Sequence, residues 1–246
     1  MISDNHFVLE SRMNRFVFKL RPILRKILIL FKYGIIVLGV FLILYFVWFR
    51  EWQHTWGAFN EDVARYMPGD ELLDGPGFNT TRAVKIKAPP EKIWPWLSQM
   101  GYKRAGLYGF DKLDNAGIPS SEVILMEYQD LKVGDLIPLG PHNGLRVLKM
   151  NPNESMCWIF EKGPWHGATW SWGLYKIDGQ HTKLVSRLRA KYHIEHPLDI
   201  IAVAFIDVFE ILAMRKCLLG IKRRAEADAG QTEELRGTVS NIMKGG

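Results

Sequence analysis

The sequence predicts an α+β protein in which one curved antiparallel sheet wraps a long C-terminal helix, preceded by a single transmembrane helix. Three observations carry this prediction. An apolar run near the N-terminus holds one charge, short alternating segments rich in β-branched and aromatic residues recur between residues 80 and 192, and a long helical pattern follows Pro197.

Residues 27–49, ILILFKYGIIVLGVFLILYFVWF, match the ~20 residues an α-helix needs to cross a hydrocarbon core. Lys32 is the only charge, and near a helix end its stem can carry the ammonium out to the headgroups. Tyr45, Trp48, Trp52 and Trp56 stand where interfacial aromatics sit. A cleaved signal peptide is one rival reading. The run is long for one, starts far from Met1, and is followed by Arg50, Glu51 and Trp52 instead of small residues. A buried soluble helix is the other rival, but no polar stripe breaks the run.

Seven basic residues, Arg12, Arg15, Lys19, Arg21, Arg25, Lys26 and Lys32, lie before the uninterrupted apolar stretch, whereas only Arg50 and Arg65 follow closely. The positive-inside rule then places the N-terminus in the cytoplasm and the large domain outside. The same seven carry the excess charge: without them a chain of net charge +6 is close to neutral. Basicity therefore argues for a lipid bilayer as partner and against nucleic acid. Residues 7–26 read as a basic amphipathic helix on anionic lipid, interrupted at Pro22.

The expected organisation is a basic N-terminal segment (1–26), the transmembrane helix (27–49), a juxtamembrane helix and linker (50–78), the main domain (79–228) and a flexible tail (229–246). Within the linker Thr55 is a candidate helix cap. Residues 80–87 read as a strand ended by Pro89 and Pro90, and Pro90 suits the first turn of the helix EKIWPWLSQMG, with Gly101 as its C-cap. Residues 102–128 read as an irregular helical stretch. Strand-like segments LKVGDLIPLG, GLRVLKMNP, SMCWIFEK, ATWSWGLYKID and HTKLVSRLRAKYH follow, with Asp178-Gly179 marking a hairpin turn. The final helix reads from Pro197 to about Ala227.

The stretches WGAFNEDVARYMPGDELL, APPEKIWPWLSQMG, YGFDKLDN, DLKVGDLIPLG and MRKCLLGIKRRAEA together resemble a membrane-attached branch of the SRPBCC superfamily. That superfamily includes START lipid-transfer domains and polyketide cyclase/dehydrase-like proteins. The resemblance spans residues 54–228, and its best motif is a strand followed by A-P-x-x-x-x-W-x-x-L, here Ala88, Pro89, Trp94 and Leu97. It implies the helix-grip (START-like) fold, with a deep hydrophobic cavity between sheet and C-terminal helix. The function expected from it is a noncatalytic binding domain for a lipid or other hydrophobic small molecule. The alternative is a cyclase/dehydratase-like enzyme on an apolar substrate, and a third is an interaction protein whose cavity is vestigial and packed.

No HExxH, P-loop, strand-linked GxGxxG or GxSxG occurs, so no metal, cofactor or serine nucleophile is expected. Cys157 and Cys217 read as buried thiols, with a single bridge as the alternative. His193 and His196 read as surface or capping residues before Pro197. Acid-base work, if any, falls to Tyr108 and Asp111, ahead of His142, His166 and Glu127; the structural alternative has Asp111 capping a helix and Tyr108 packing on the sheet. The strand 183–192 splits by parity into a solvated basic stripe (Lys183, Val185, Arg187, Arg189, Lys191) and an inward face with Leu184, Ser186, Leu188, Ala190 and Tyr192. Ligand contacts are accordingly expected from Trp96, Tyr108, Trp158, Trp170, Trp172, Ser186, Leu188, Tyr192 and, on the final helix, Phe205. The apolar run 200–206 must be gripped by the sheet or touch lipid.

Overall fold

The computed structural model describes the backbone of residues 3–162, 165–191 and 196–244, with side chains left out at 3–19, 197–198, 202 and 233–244. Its contacts divide the chain into two compact units, residues 1–51 and 52–246.

The first unit is helical. Helix α1 covers Ser3–Leu44 and passes through Pro22 without a break, contrary to the expected interruption. Proline removes one N–H and its ring crowds the turn before it, yet a helix can keep going where its neighbouring turns stay bonded. A single π-helical turn, Tyr45–Phe49, and the short helix α2 (Arg50–His54) follow. The stretch Leu20–His54 is long and apolar enough to cross a membrane by length and composition, and it contains the predicted span 27–49.

The second unit is an antiparallel sheet against a long helix. Six strands, β1 (Phe78–Ile86), β2 (Leu136–Pro138), β3 (Gly144–Asn151), β4 (Ser155–Phe160), β5 (Thr169–Lys176) and β6 (Thr182–Ala190), pair in the order β1-β6-β5-β4-β3-β2. The first strand thus joins the last, while the middle of the chain forms a meander of hairpins, all antiparallel. The β5–β6 turn is the one read from Asp178-Gly179: Asp178 Oδ1 accepts from the N–H groups of Gln180 and His181 at 2.8 Å. A register shift between Val147 and Lys149 bends β3.

The last helix, α6 (Pro197–Lys244), runs well past the predicted end at Ala227. Asp199 opens it by accepting the His196 N–H at 2.7 Å; His193 and Tyr192 lie outside the described residues. Helix α4 (Pro90–Ser98) starts on Pro90 as expected and buries Ile93, Trp96 and Leu97. The inner face of the sheet, α4 and α6 share one core containing Phe78, Ile86, Trp158, Trp172, Leu184, Leu218 and Ile221. Cys157 and Cys217 are free, buried thiols.

Three local expectations need correction. Residues 102–128 hold only one short helix, α5 (Asp111–Asp114), and a 3₁₀ turn at Met126–Tyr128. Positive φ at Lys103, Tyr108 and Ala116, with Gly101, Gly106 and Gly117, keeps the rest of this stretch in turns. In the linker, no helix starts at Thr55. Helix α3 (Asn60–Ala64) starts at Phe59, whose N–H is accepted by the Asp62 carboxylate at 2.9 Å.

The largest correction concerns the basic stripe, which is covered from Lys183 to Arg189; only Lys191, just past the strand, is exposed. Residues 59–71 cover that face, and Arg187 is only 4% exposed. Its guanidinium donates to Asp70 (2.5 Å), to Thr81 Oγ1 (2.9 Å) and to the carbonyls of Asp62, Val63 and Arg65 at 2.8–2.9 Å. Lys183 pairs with Asp62 at 3.0 Å, and Arg189 donates to the Asp70 carbonyl. The alternation along β6 was legible; the cover over it was not.

Candidate ligand-binding cavity

The first half of α6 and the inner face of the sheet do not close on one another. Between them lies a cavity of about 670 Å³, inside the ~300–1,000 Å³ range of ligand sites. From α6 it is lined by Phe205, Ile206, Phe209, Glu210, Ala213, Met214 and Cys217; from the sheet by Phe160, Trp170 and Leu188; from loops by Leu107, Gly109, Asp114, Leu139 and Trp165. Positions 206, 210, 213, 214 and 217 recur at helical spacing, so one stripe of α6 faces the space. Phe205 is 73% exposed and Phe209 55%, so the aromatic rim of the cavity also faces solvent. Among its lining residues only Asp114 and Glu210 carry carboxyl groups.

The loop walls depend on close backbone approaches. Tyr108 sits at φ +57 against α6, where any Cβ at Gly220 would fall 2.6 Å from the Tyr108 carbonyl oxygen. Next to it, a Cβ on Gly109 would meet Asp114 Oδ2 at 2.3 Å. Gln99 braces this region: its Nε2 donates to the Tyr108 hydroxyl at 3.0 Å and its Oε1 accepts from Leu125 N–H at 2.8 Å. Arg224 of α6 stacks over the Tyr108 ring at 4.6 Å and donates to the Ser121 carbonyl at 2.7 Å.

Trp170, Leu188 and Phe205 line the cavity. Trp158 and Trp172 stand behind Trp170 in one aromatic cluster, with centroids 5.0–5.7 Å apart, and both are fully buried. Ser186 is one step removed, its Oγ accepting from Trp170 Nε1 at 2.9 Å. Trp96 is buried against Tyr108, in edge contact at 6.1 Å. Tyr192 lies outside the described residues.

Tyr108 and Asp111 are brought together, though not at the cavity wall. Ser120 Oγ accepts the Tyr108 N–H at 3.1 Å and donates to Asp111 Oδ1 at 2.5 Å. The Tyr108 hydroxyl also donates to the Trp96 carbonyl at 3.0 Å, and burial pushes its pKa up. Both side chains are thereby committed to bracing the loop. Of the remaining acid-base candidates, His166 Nδ1 donates to the Glu161 carbonyl (2.7 Å) on the surface, and Glu127 borders a shallow groove with Arg104 and Asp135.

Sequence reasoning missed Glu210, which lines the cavity, and the buried polar groups near it. Arg82 lies on the inner face of β1 and donates to Glu210 at 2.6 Å and to the Gln53 carbonyl at 2.7 Å. His54 lies 3.4 Å from Asp207, and both are buried. Burial pushes the Glu210 pKa up against the downward pull of Arg82, and burial likewise raises Asp114 and the Cys217 thiol. A lone arginine at an inward position of an alternating strand was the available signal, since an inward cation needs a buried partner.

No protein-family model and no curated protein sequence match this chain. Solved structures similar to it include a Polyketide_cyc-like protein from Corynebacterium glutamicum, 13% identical, covering 61% of this chain and 92% of that one at a TM-score of 0.35. A Thermus thermophilus protein is 14% identical over 61% of this chain and 99% of its own, TM-score 0.38. The di-domain ARO/CYC of the steffimycin biosynthetic pathway is 9% identical over 62% of this chain and 51% of its own, TM-score 0.44.

Proposed function

We propose that this chain is a membrane-anchored binding domain of the SRPBCC helix-grip class that holds a lipid or another hydrophobic small molecule without transforming it. The observation that carries the reading is the cavity of about 670 Å³ with apolar walls and an exposed aromatic rim. An unfilled apolar space forfeits dispersion contacts on every side, and an apolar guest restores them. Tyr108 and Asp111, the candidate acid-base pair, are spent on each other's loop and do not line the space.

The N-terminal helix supports the membrane half of the proposal by length and composition. The basic flank before it favours a cytoplasmic N-terminus and an extracytoplasmic domain. A reporter fused after Gly246 that is active only outside the cytoplasm is the expected result; cytoplasmic activity would reverse the orientation. For the cavity, the full chain is purified from its host in a mild detergent and its organic extract is analysed by mass spectrometry. A hydrophobic molecule near one per chain is expected. An extract holding only detergent and bulk lipid in their background ratio would remove the proposal.

A further inference from the structure

The cavity's polar groups differ in how completely the protein satisfies them. Glu210 has its cation: Arg82 Nη1 donates to Oε1 at 2.6 Å and lies 2.5 Å from Oε2, which takes no hydrogen bond of its own but is neutralised by that charge. Trp170 has spent its N–H on Ser186. Asp114 is different. Its Oδ2 accepts the Phe110 N–H at 2.6 Å, whereas its Oδ1 is buried and has no hydrogen-bond partner among the described residues. Lys216 acts on Asp114 only through its field, its ammonium lying over the Phe110 ring at 4.1 Å. A buried carboxylate oxygen left unpaired is costly, and a carboxylate can only accept. The other polar edges of the space, the Trp165 indole and the Cys217 thiol, carry no charge.

Resting on the binding role proposed above, we infer that Asp114 is the polar recognition point of the cavity. Its ligand is an amphiphile whose polar end is an uncharged or positively charged hydrogen-bond donor, an alcohol or an amine. A carboxylate or phosphate end placed beside Asp114 would set acceptor against acceptor, with like charges between apolar walls that screen them less than bulk water does. Charge-assisted bonds to Asp114 give the donor heads the opposite outcome.

The test uses the full chain in phosphatidylcholine nanodiscs with three photoreactive probes of equal length: diazirine-bearing dodecanol, dodecylamine and dodecanoate. Labelling of the peptide holding Phe205, Phe209 and Met214 is divided by labelling of residues 27–49, which corrects for how much probe enters the bilayer. The alcohol and the amine are expected to label the cavity at least about tenfold more than the carboxylate. In Asp114→Asn the remaining carbonyl oxygen can still hold the Phe110 N–H while the amide presents a donor, so the ratio should fall toward one or invert. Equal or stronger labelling by dodecanoate in the unaltered chain overturns the inference. It would point instead to the indole N–H groups of Trp158 and Trp172, which are buried without acceptors behind the wall. An unchanged ratio in Asp114→Asn overturns it as well. If residues 27–49 label and the cavity takes none of the three probes, the binding role itself fails. The ratio in the unaltered chain decides even where the variant does not fold.

Discussion

The two faces of the sheet bury their side chains by contrasting means. On the outer face, residues 59–71 lie over β6 and are held by ions and directed hydrogen bonds: Arg187 alone donates to Asp70, Thr81 and three backbone carbonyls. On the inner face, α6 is held mainly by apolar contact, with the Arg82–Glu210 pair as its buried ionic tie, and where that contact stops a cavity remains. The polar face has its buried cation fully paired; the apolar face is left partly unfilled. Directed bonds demand completion because each orphaned donor or acceptor is costly, whereas apolar packing can be left incomplete at a cost spread over many weak contacts.

The largest effect that tests this contrast is Arg187→Met. It leaves Asp70 and three carbonyls without their donor, and a loss of ~3–5 kcal/mol in urea denaturation is expected. Arg187→Lys should recover little of it, because one ammonium cannot reach acceptors spread around a planar fork. A loss below about 1 kcal/mol would mean the outer face is held by its small apolar cluster of Met67, Ala83 and Val185 instead.

On the inner face, two leucines of the same strand separate packed core from cavity wall. Leu184 is fully buried away from the cavity, and Leu188 lines it. Leu184→Ala should cost ~3–4 kcal/mol and Leu188→Ala about 2 kcal/mol or less, since Leu188 has fewer neighbours to lose. Equal losses would mean that the wall is as tightly packed as the core.

Filling the space gives a smaller change in stability. Ala213→Phe, on the α6 wall, should stay within about 1 kcal/mol of the original in thermal unfolding, where the same enlargement in a packed core costs ~1–3 kcal/mol.

The smallest effect lies at the rim of the outer face. Glu71 accepts from Lys149 and from the Tyr66 hydroxyl, and these hold its carboxyl at about 2, below the ordinary 4.5. A depressed folded pKa contributes stability that is present above 4.5 and lost as pH falls toward 2. The pair is solvent-exposed, so Glu71→Gln should flatten the acid limb by less than about 1 kcal/mol and leave neutral-pH stability nearly unchanged. An unaltered acid limb would remove Glu71 from the account.

Much of the architecture was legible because it rests on periodicity. The two-residue alternation of β4, β5 and β6, Pro90 at the head of α4 and the Asp178-Gly179 turn all stand where the sequence puts them. Parity also assigned Leu188 to the inward face, and it reaches the cavity, as does Trp170. The cover over Arg187 was invisible because most of its acceptors are backbone carbonyls, which any residue supplies. Asp114 was passed over for a related reason. Its role depends on Gly109 letting the chain approach closely and on sharing a cavity with α6 residues a hundred positions away, and neither leaves a local pattern.

The central claim, that the cavity holds an apolar molecule, is tested most directly by native mass spectrometry of the full chain and of Ala213→Phe, released from the same detergent. The unaltered chain should carry a bound hydrophobic adduct near one per chain, and Ala213→Phe should carry none while unfolding at nearly the same temperature. Equal adduct on both, or none on either, would contradict it.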